Sequence, residues 1–354
     1  MRTVLAVLLA AFAYLLLWPS SFRPVAWTPP TPPAAEGIWA PNQRMNAAIK
    51  EQSNIPGPDT VVQDADGWRY AGLADGRIVR WRATQPLETF AKVDGRPVGL
   101  AFGPDGSLFA ADEVKGVVWK VTPQKEVTQV VKSTDEQAFT FVDDLVVAKD
   151  GRLFFTEAST RWALPDNKRA MLEHGGDGEV WLRHRDGSLE RVMEGLEFAN
   201  GIVLAPDESY LLVVETGAYR VSRLWLAGAR KGEREVLLDN LPGFPGDISL
   251  APDGTYWLSL FTPRKALLDR LGPYPFVRKI LSRLPMGLLP KPVAFPYVLR
   301  IDAEGRVLET LQASAGAGLP SFSSVVQVGN ELLLGTPGGV GEIDSDGAFS
   351  LRLN

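Results

Sequence analysis

The sequence predicts an all-β fold, a six-bladed β-propeller with an N-terminal membrane helix and a short helical insertion. A turn of the Asp-Gly type follows a short apolar run in five segments of the chain. Repeats of roughly 40–50 residues are typical of propellers, in which each repeat forms one four-stranded blade. The 354 residues include 34 Gly and 27 Pro, which suits a chain rich in turns.

The residue seven positions before the turn aspartate differs in type from repeat to repeat. In three repeats an oxygen-bearing side chain stands seven residues before the turn aspartate: Asp59 before Asp66, Asp143 before Asp150, and Asn200 before Asp207. In a propeller the first strand of each blade lines the central channel, so equivalent residues meet near the axis. Asp247, one place out of register in a fourth repeat, joins them.

The predicted ring of Asp59, Asp143, Asn200 and Asp247 contains the hard oxygen ligands that Ca²⁺ takes in proteins. An alternative is that these side chains start strands and are satisfied by backbone amides. Three carboxylates in a narrow channel repel each other unless a cation or protons neutralise them. We therefore expect calcium as the cofactor.

The composition argues against several classes of protein. A net charge of −5 and the absence of a basic excess argue against a nucleic-acid partner. With no Cys, disulfides and thiolate chemistry are excluded, and only two His argue against a His-based zinc site. His174 and His184 lie in or near a polar insertion, and we expect them at the surface.

The N-terminus carries an apolar run over residues 3–18, preceded by Arg2. Residues 1–22 are expected to form a signal anchor or a cleavable signal peptide, since no clear Ala-x-Ala site follows the run. Residues 23–45 are rich in Pro and predict a stiff, extended linker that holds the domain off the membrane. The propeller is then expected over 46–354, outside the cytoplasm, anchored to the membrane or secreted after cleavage.

An insertion at 262–296 interrupts the strand pattern. It contains seven Lys or Arg residues against the single acid Asp269, with apolar residues between them. This pattern predicts short amphipathic helices broken at Pro273, Pro275 and Pro285. Two interpretations remain open. The segment packs as a lid over one mouth of the propeller, or it contacts anionic lipid and admits an apolar substrate.

The chain resembles the strictosidine synthase-like branch of the gluconolactonase and paraoxonase superfamily from about residue 57 to its end. The resemblance is carried by residues 57–59 (GPD), 75–79 (DGRIV), 95–103 (GRPVGLAFG), 111–117 (ADEVKGV), 154–161 (FFTEASTR), 198–217 (FANGIVLAPDESYLLVVETG), 239–249 (DNLPGFPGDIS) and 291–303 (KPVAFPYVLRIDA). It implies a six-bladed propeller, a membrane-proximal N-terminal helix, and calcium on the axis. In several members it also implies hydrolysis of aryl esters or lactones.

The resemblance also assigns roles to individual residues. Asp59 matches the family's first axial acid, Asp143 the Asn of an Asn-Asp pair with Asp144 as its partner, and Asn200 the Asn of Ala-Asn-Gly. The family pattern Phe-Pro-Asp-Asn-Ile corresponds to Phe-Pro-Gly-Asp-Ile in this sequence, so Gly246 stands in place of an acid and Asp247 in place of Asn.

Two further departures bear on the chemistry. Val98 stands near the place of the His that paraoxonases use as a base. Ser321 and Phe322 stand where strictosidine synthase has its catalytic Glu, so strictosidine synthesis is not expected.

Two functional hypotheses follow from these residues. In the first, the protein hydrolyses a small ester or lactone, with the carbonyl polarised by axial Ca²⁺ and with Asp143, Asp144 or Asp247 orienting or deprotonating water. The apolar residues expected to line the substrate pocket are Trp162, Phe244, Phe261 and Phe322. In the second, the calcium is structural and the propeller is a membrane-tethered binding or assembly protein without efficient chemistry.

Overall fold

The computed structural model describes residues 4, 13–15, 18–82, 85–134, 137–164, 166–284, 293–314, 316–337 and 346–353. Within these ranges the chain forms six four-stranded antiparallel sheets, in which first strands contact the first strands of neighbouring sheets. This is a six-bladed β-propeller, which confirms the predicted fold class.

The strands are numbered in chain order. The first twelve are β1 Ile49–Pro56, β2 Val61–Gln63, β3 Arg69–Gly72, β4 Arg77–Arg82, β5 Gln85–Lys92, β6 Pro97–Phe102, β7 Leu108–Asp112, β8 Val117–Val121, β9 Val127–Val131, β10 Val142–Val147, β11 Leu153–Glu157 and β12 Gly178–Arg183. The second twelve are β13 Leu189–Leu196, β14 Ala199–Leu204, β15 Tyr210–Glu215, β16 Arg220–Trp225, β17 Arg234–Leu238, β18 Gly243–Leu250, β19 Tyr256–Pro263, β20 Tyr297–Ile301, β21 Val307–Gln312, β22 Ser324–Val328, β23 Glu331–Gly335 and β24 Asp346–Arg352.

The burial of the strands explains their sequences. Every residue of the second strands β7, β11 and β15 is buried, because neighbouring blades cover both faces of each sheet. These strands accordingly have near-continuous apolar runs. The outermost strands β9 and β13 carry exposed polar residues at their outer faces.

The two ends of the described chain close the ring. Strand β1 pairs with β24, with Ile49 opposite Ser350 and Lys50 opposite Phe349, so the sixth blade has the order β22-β23-β24-β1. Because one blade takes strands from both ends of the described chain, the first and last repeats are joined and the ring is closed.

The recurrent turns are held by side chains. In three of them Asp105, Asp150 and Asp207 each accept a hydrogen bond from the backbone N–H two residues later, at 3.0 Å. In the first repeat Asp64, rather than the predicted Asp66, accepts the bond from the N–H of Trp68, at 2.9 Å. These aspartates therefore form Asx turns, and their role is structural.

Three short α-helices lie in two insertions of the described chain: α1 Asn167–Glu173, α2 Ala266–Leu271 and α3 Pro275–Leu281. The last two confirm the helical insertion, and Pro275 sits at the start of α3, where a missing N–H is tolerated. The break predicted at Pro285 and residues 285–292 lie outside the described residues. Short 3₁₀ turns span Gly37–Trp39, Arg44–Ala47 and Thr216–Ala218.

The Pro-rich segment at 20–31 is extended, as predicted, but it does not stand clear of the domain. The backbone N–H of Val25 donates to Glu173 O at 2.8 Å, and that of Trp27 donates to Gly272 O at 3.1 Å. Arg264 Nη2 donates to Pro30 O at 2.6 Å. The segment, called the strap below, is bound across the insertions because they present buried hydrogen-bonding groups to it.

The predicted membrane helix at 1–22 falls mostly on residues outside the description. Of the residues that are described, no helix has the length and apolar character to cross a bilayer.

Candidate functional site

One face of the propeller gathers the predicted site residues, and the strand directions explain why. Strands alternate in direction within a blade, so the start of each first strand lies on the same face as the connection between second and third strands. Helix α1 lies in the connection β11–β12, and α2 and α3 lie in the connection β19–β20. The insertions therefore roof the beginnings of β2, β10, β14 and β18.

A cavity of about 390 Å³ lies between this roof and the first strands. Its wall includes all four predicted ligands, Asp59, Asp143, Asn200 and Asp247, together with Asp144. The structure thus brings the predicted ring together in one cavity. The roof confirms the lid interpretation of the insertion, because Leu267, Leu268, Leu271, Leu281 and Leu284 also line the cavity.

Asp144 is fixed by bonds to two blades. Its Oδ2 accepts a hydrogen bond from the N–H of Ile202 at 3.0 Å, and its own N–H donates to Thr156 Oγ1 at 3.0 Å. Gly99 lies against it so closely that a Cβ there would stand 2.5 Å from Asp144 Oδ1. Burial raises the pKa of Asp144 to about 6, although the bonds from backbone N–H groups oppose the rise.

Asp247 is held at the neighbouring blade. Its N–H donates to Ser323 O and to Ser259 Oγ, both at 3.0 Å. Burial raises its pKa well above the ordinary value, and the charge of Asp144 and a hydrogen bond to Asp144 raise it further. The two carboxyl groups therefore titrate as a pair.

Asp143 lies at the second position of β10, with its side chain in the cavity. Burial raises its pKa well above the ordinary value, and the charges of Glu113 and Asp59 add to the rise. Asp59 stands just before β2, where its carbonyl accepts hydrogen bonds from the hydroxyls of Ser323 and Ser324, each at 2.8 Å. These bonds fix the start of the first blade against the sixth.

The residue pair Arg96 and Glu113 was not predicted, although both residues line the cavity. Arg96 Nη1 lies 2.7 Å from Glu113 Oε1, and both side chains are buried. Burial raises the pKa of Glu113 to about 8, against the lowering effect of Arg96. Both residues lie within motifs that carry the family resemblance, but no local spacing marks them as partners.

The oxygen donors of the cavity bear on whether it can hold calcium. In the described part of the chain, no group of three or more His, Cys, Asp or Glu side chains is arranged to hold a metal ion. The chemistry of the donors nevertheless fits a hard cation, because three carboxylates and an amide line one cavity. Burial is the main cause of the raised pKa values of Asp143 and Asp247, and neighbouring acids raise them further, so a bound cation would favour the charged carboxylates.

The four predicted substrate-binding residues divide into two pairs. Phe244 and Phe261 line the cavity, with ring centroids 6.3 Å apart. Trp162 and Phe322 are not among the lining residues, so those two predictions need correction. Trp162 is buried beneath the roof and its Nε1 donates to Glu173 Oε2 at 2.7 Å. Phe322 is fully buried because it packs against Phe349, at 5.5 Å between centroids.

Five further aromatic residues line the cavity: Trp27, Phe141, His174, Phe198 and Tyr219. The rings of Trp27 and His174 stack with centroids 4.0 Å apart. The expectation that His174 lies at the surface is wrong, since its side chain is 10% exposed. Burial lowers its pKa to about 3, and the nearby charge of Arg278 adds to the lowering. A contact between the strap and α1 has no signal in the sequence.

A family model described as the SMP-30/Gluconolactonase/LRE-like region matches residues 59–267, which is more than half of the chain. This chain belongs to the SMP-30/gluconolactonase/LRE-like family. The match begins at Asp59, the first residue of the predicted ring, and ends within α2.

Curated relatives cover most of this family member. Adipocyte plasma membrane-associated protein of Bos taurus is 30% identical over 91% of this chain and 84% of its own length. The protein of that name from Salmo salar is 33% identical over 78% of this chain and 72% of its own. Strictosidine synthase-like 13 of Arabidopsis thaliana is 33% identical over 73% of each chain.

Solved structures share the fold at low identity. A gluconolactonase from Xanthomonas campestris has a TM-score of 0.63 at 16% identity, covering 87% of this chain and 89% of its own. Regucalcin from Agrobacterium tumefaciens, described as a calcium-binding protein, has a TM-score of 0.60 at 14% identity, covering 86% and 92%. These likenesses show the same propeller architecture.

Proposed function

We propose that this family member is a membrane-anchored, calcium-dependent hydrolase of aryl esters or lactones. One observation carries the proposal: acidic residues at the starts of the first strands and an aromatic wall meet in a single roofed cavity. Such a combination of an apolar wall with a few convergent polar groups is typical of small-molecule sites. The names of the gluconolactonase and regucalcin structures agree with it.

The residues that would hold calcium are Asp59, Asp143, Asn200 and Asp247. Calcium, when bound, supplies a charge that polarises a carbonyl oxygen and neutralises these carboxylates. For the chain's own part, the Ile202 N–H holds Asp144 Oδ2 and so orients the carboxylate that would accept a proton from water. Its pKa of about 6 suits a base near neutral pH.

The aromatic wall orients the substrate and excludes water. Trp27, Tyr219, Phe244 and Phe261 line the cavity together with leucines of the roof. Tyr219 and Phe244 meet edge to face at 4.8 Å between centroids, which gives a rigid surface. The aryl or acyl part of an ester packs on this wall, while its carbonyl faces the acidic residues.

The membrane association proposed here has two supports besides the apolar N-terminus. Relatives carry the name plasma membrane-associated protein. The insertion 262–296 exposes apolar side chains beside its basic residues, with Tyr274 59% and Phe276 62% exposed. We propose that residues 1–22 anchor the protein with the propeller outside the cytoplasm, and that the insertion contacts anionic lipid. Recovery of an intact N-terminus in the membrane fraction would support this, whereas a soluble, cleaved product would mean secretion.

The function is tested by hydrolysis of phenyl acetate and a simple lactone by the full chain in non-ionic detergent. Truncation at residue 42 would remove Trp27 and must be avoided. The proposal expects turnover with calcium, loss on chelation, and loss in Asp143→Ala and Asp247→Ala. The exposed Asp66→Asn variant is the matched control. Unchanged activity in both cavity variants would overturn the mechanism.

A second candidate function is a membrane-tethered binding or assembly protein with structural calcium. It is favoured by Gly246, which stands where the resemblance described above places an acid. The result that selects it is a rise in melting temperature on adding calcium without hydrolysis of any ester or lactone.

A further inference from the structure

Two lysines line the cavity from its roof. Lys168 lies in the first turn of α1 and Lys265 immediately precedes α2, and both are half-buried. In the ranges that the structure describes, neither ammonium group forms an ion pair. Two half-buried cations without anionic partners lose hydration and gain no compensating attraction, which favours an anion from outside the chain.

The charges of the cavity are separated between its two sides. The blades contribute five acids, of which Glu113 is paired with Arg96: Asp59, Glu113, Asp143, Asp144 and Asp247. The charged lining residues of the roof are Lys168, Lys265 and Arg278. His174 adds no charge there, because its pKa is lowered to about 3.

The guanidinium of Arg278 is occupied by hydrogen bonds to backbone carbonyls. Of the charged residues of the roof that line the cavity, the two lysines are therefore the cations available to a ligand. Its Nη1 donates to Leu172 O at 2.6 Å and its Nη2 donates to Gly272 O at 2.8 Å. Leu172 lies in the last turn of α1 and Gly272 follows α2, so Arg278 joins the helix that contains Lys168 to the helix that Lys265 precedes. The roof therefore presents Lys168 and Lys265 as parts of one assembly.

We propose that the ligand of this cavity is an amphiphilic anion, an apolar aryl or acyl body with a carboxylate, sulfate or phosphate group at one end. Lys168 and Lys265 bind the anionic group at the roof, and the aromatic wall binds the body. The lysines lie on the roof and the acids lie on the blades, so the anionic group is placed at the roof end of the cavity. For catalysis the inference rests on the proposed hydrolase function, and it places the scissile ester at the end opposite the anionic group.

The binding experiment compares 4-phenylbutyrate with 4-phenylbutanol, which share one body and differ in charge. Calorimetric titration of the full chain in non-ionic detergent with calcium is expected to give at least about tenfold tighter binding of the anion. The Lys168→Gln/Lys265→Gln variant should lose that advantage and bind the alcohol unchanged. The exposed pair Lys92→Gln/Lys231→Gln is the control. Equal affinities in the wild type, or an advantage that survives the double substitution, would overturn the inference.

A kinetic experiment separates this inference from the proposed function. It compares kcat/KM for 4-acetoxyphenylacetate with that for 4-tolyl acetate in the same variants. A preference for the anionic ester that disappears in Lys168→Gln/Lys265→Gln supports both proposals. Charge-selective binding without any hydrolysis supports the ligand class and refutes the hydrolase. Hydrolysis with no charge preference in binding or turnover refutes the ligand class alone.

Discussion

The indole of Trp27 stacks on the imidazole of His174, with ring centroids 4.0 Å apart and ring planes 30° apart. Trp27 belongs to the strap that follows the N-terminal apolar run, and His174 ends helix α1. The imidazole stays neutral across the physiological range, because burial lowers its pKa to about 3. The strap is thus a wall of the cavity, and the segment leading to the predicted anchor is part of the site.

Replacing Trp27 with Ala should weaken binding of aryl substrates. Aromatic contacts of this kind contribute about 0.5–1.5 kcal/mol beyond the area they bury, so we expect KM for phenyl acetate to rise roughly three- to tenfold. The measurement is steady-state hydrolysis, with Trp27→Phe expected to restore most of the affinity. The 60% exposed Trp18 provides the control variant Trp18→Ala. An unchanged KM in Trp27→Ala would contradict the claim that the strap contacts the substrate.

Replacing Arg278 with Met should loosen the roof. Arg278 donates to the carbonyls of Leu172, Gly272 and Val25, and so joins α1, the end of α2 and the strap. Hydrogen bonds to charged groups contribute about 1.5–3 kcal/mol each, so a substantial fall in melting temperature is expected. Limited proteolysis should show new cleavage in the strap. The exposed Arg270→Met is the control, and equal behaviour of the two variants would contradict this role.

The calcium-free protein should lose stability as the pH rises from about 6.5 to 8.5. Burial raises the pKa of Glu113 to about 8 and raises that of Asp143, so the folded chain holds protons that the unfolded chain releases above about pH 4. Stability from these groups is complete below pH 4 and is lost through the folded-state values. His174, with its lowered pKa, acts in the opposite direction but only below about pH 6.5.

The measurement is the melting temperature in chelator across this range. Glu113→Gln should flatten the decline, and added calcium should reduce it because the cation replaces the protons. A melting temperature that rises with pH in the chelated wild type would contradict the account.

Gly246 should not accept a side chain. A Cβ at this position would lie 2.8 Å from Ser323 O and 2.9 Å from Ser259 Oγ. These atoms accept the hydrogen bonds of the Asp247 N–H, so a shift would disturb the site. We expect Gly246→Ala to destabilise by about 1–3 kcal/mol, and Gly246→Asp by more. Gly175→Ala, whose Cβ would meet nothing closer than 3.8 Å, is the control for thermal melting.

A different result would revise the reading of this position. If Gly246→Asp melted like the wild type and hydrolysed esters faster, the blade would accept a side chain at this position. The absence of an acid there would then be what limits hydrolysis in the natural protein.

The sequence predicts what is local and repeated. Asp143 and Asn200 each stand seven residues before the aspartate that holds their turn, so the repeat pattern places them at equivalent points of the ring. Asp59 is found by the same spacing from Asp66, although Asp64 holds the turn of that repeat. The partners Arg96 and Glu113 lie just before β6 and just after β7, and they meet only because these strands pair antiparallel, which no spacing displays.

Residues chosen by type alone were less well predicted. Trp162 and Phe322 are aromatic residues near the right motifs, but packing beneath the roof and against Phe349 withdraws them from the cavity. Trp27 lies in a Pro-rich segment with no periodic pattern, and only the tertiary contact with His174 reveals its role.

The most direct test of the central proposal is calcium-dependent hydrolysis by the full chain in non-ionic detergent. Phenyl acetate and a lactone are assayed with calcium, after chelation, and after calcium is restored. The account predicts turnover that disappears on chelation, returns with calcium, and is absent in Asp143→Ala. Turnover that persists unchanged after chelation and in Asp143→Ala would contradict it.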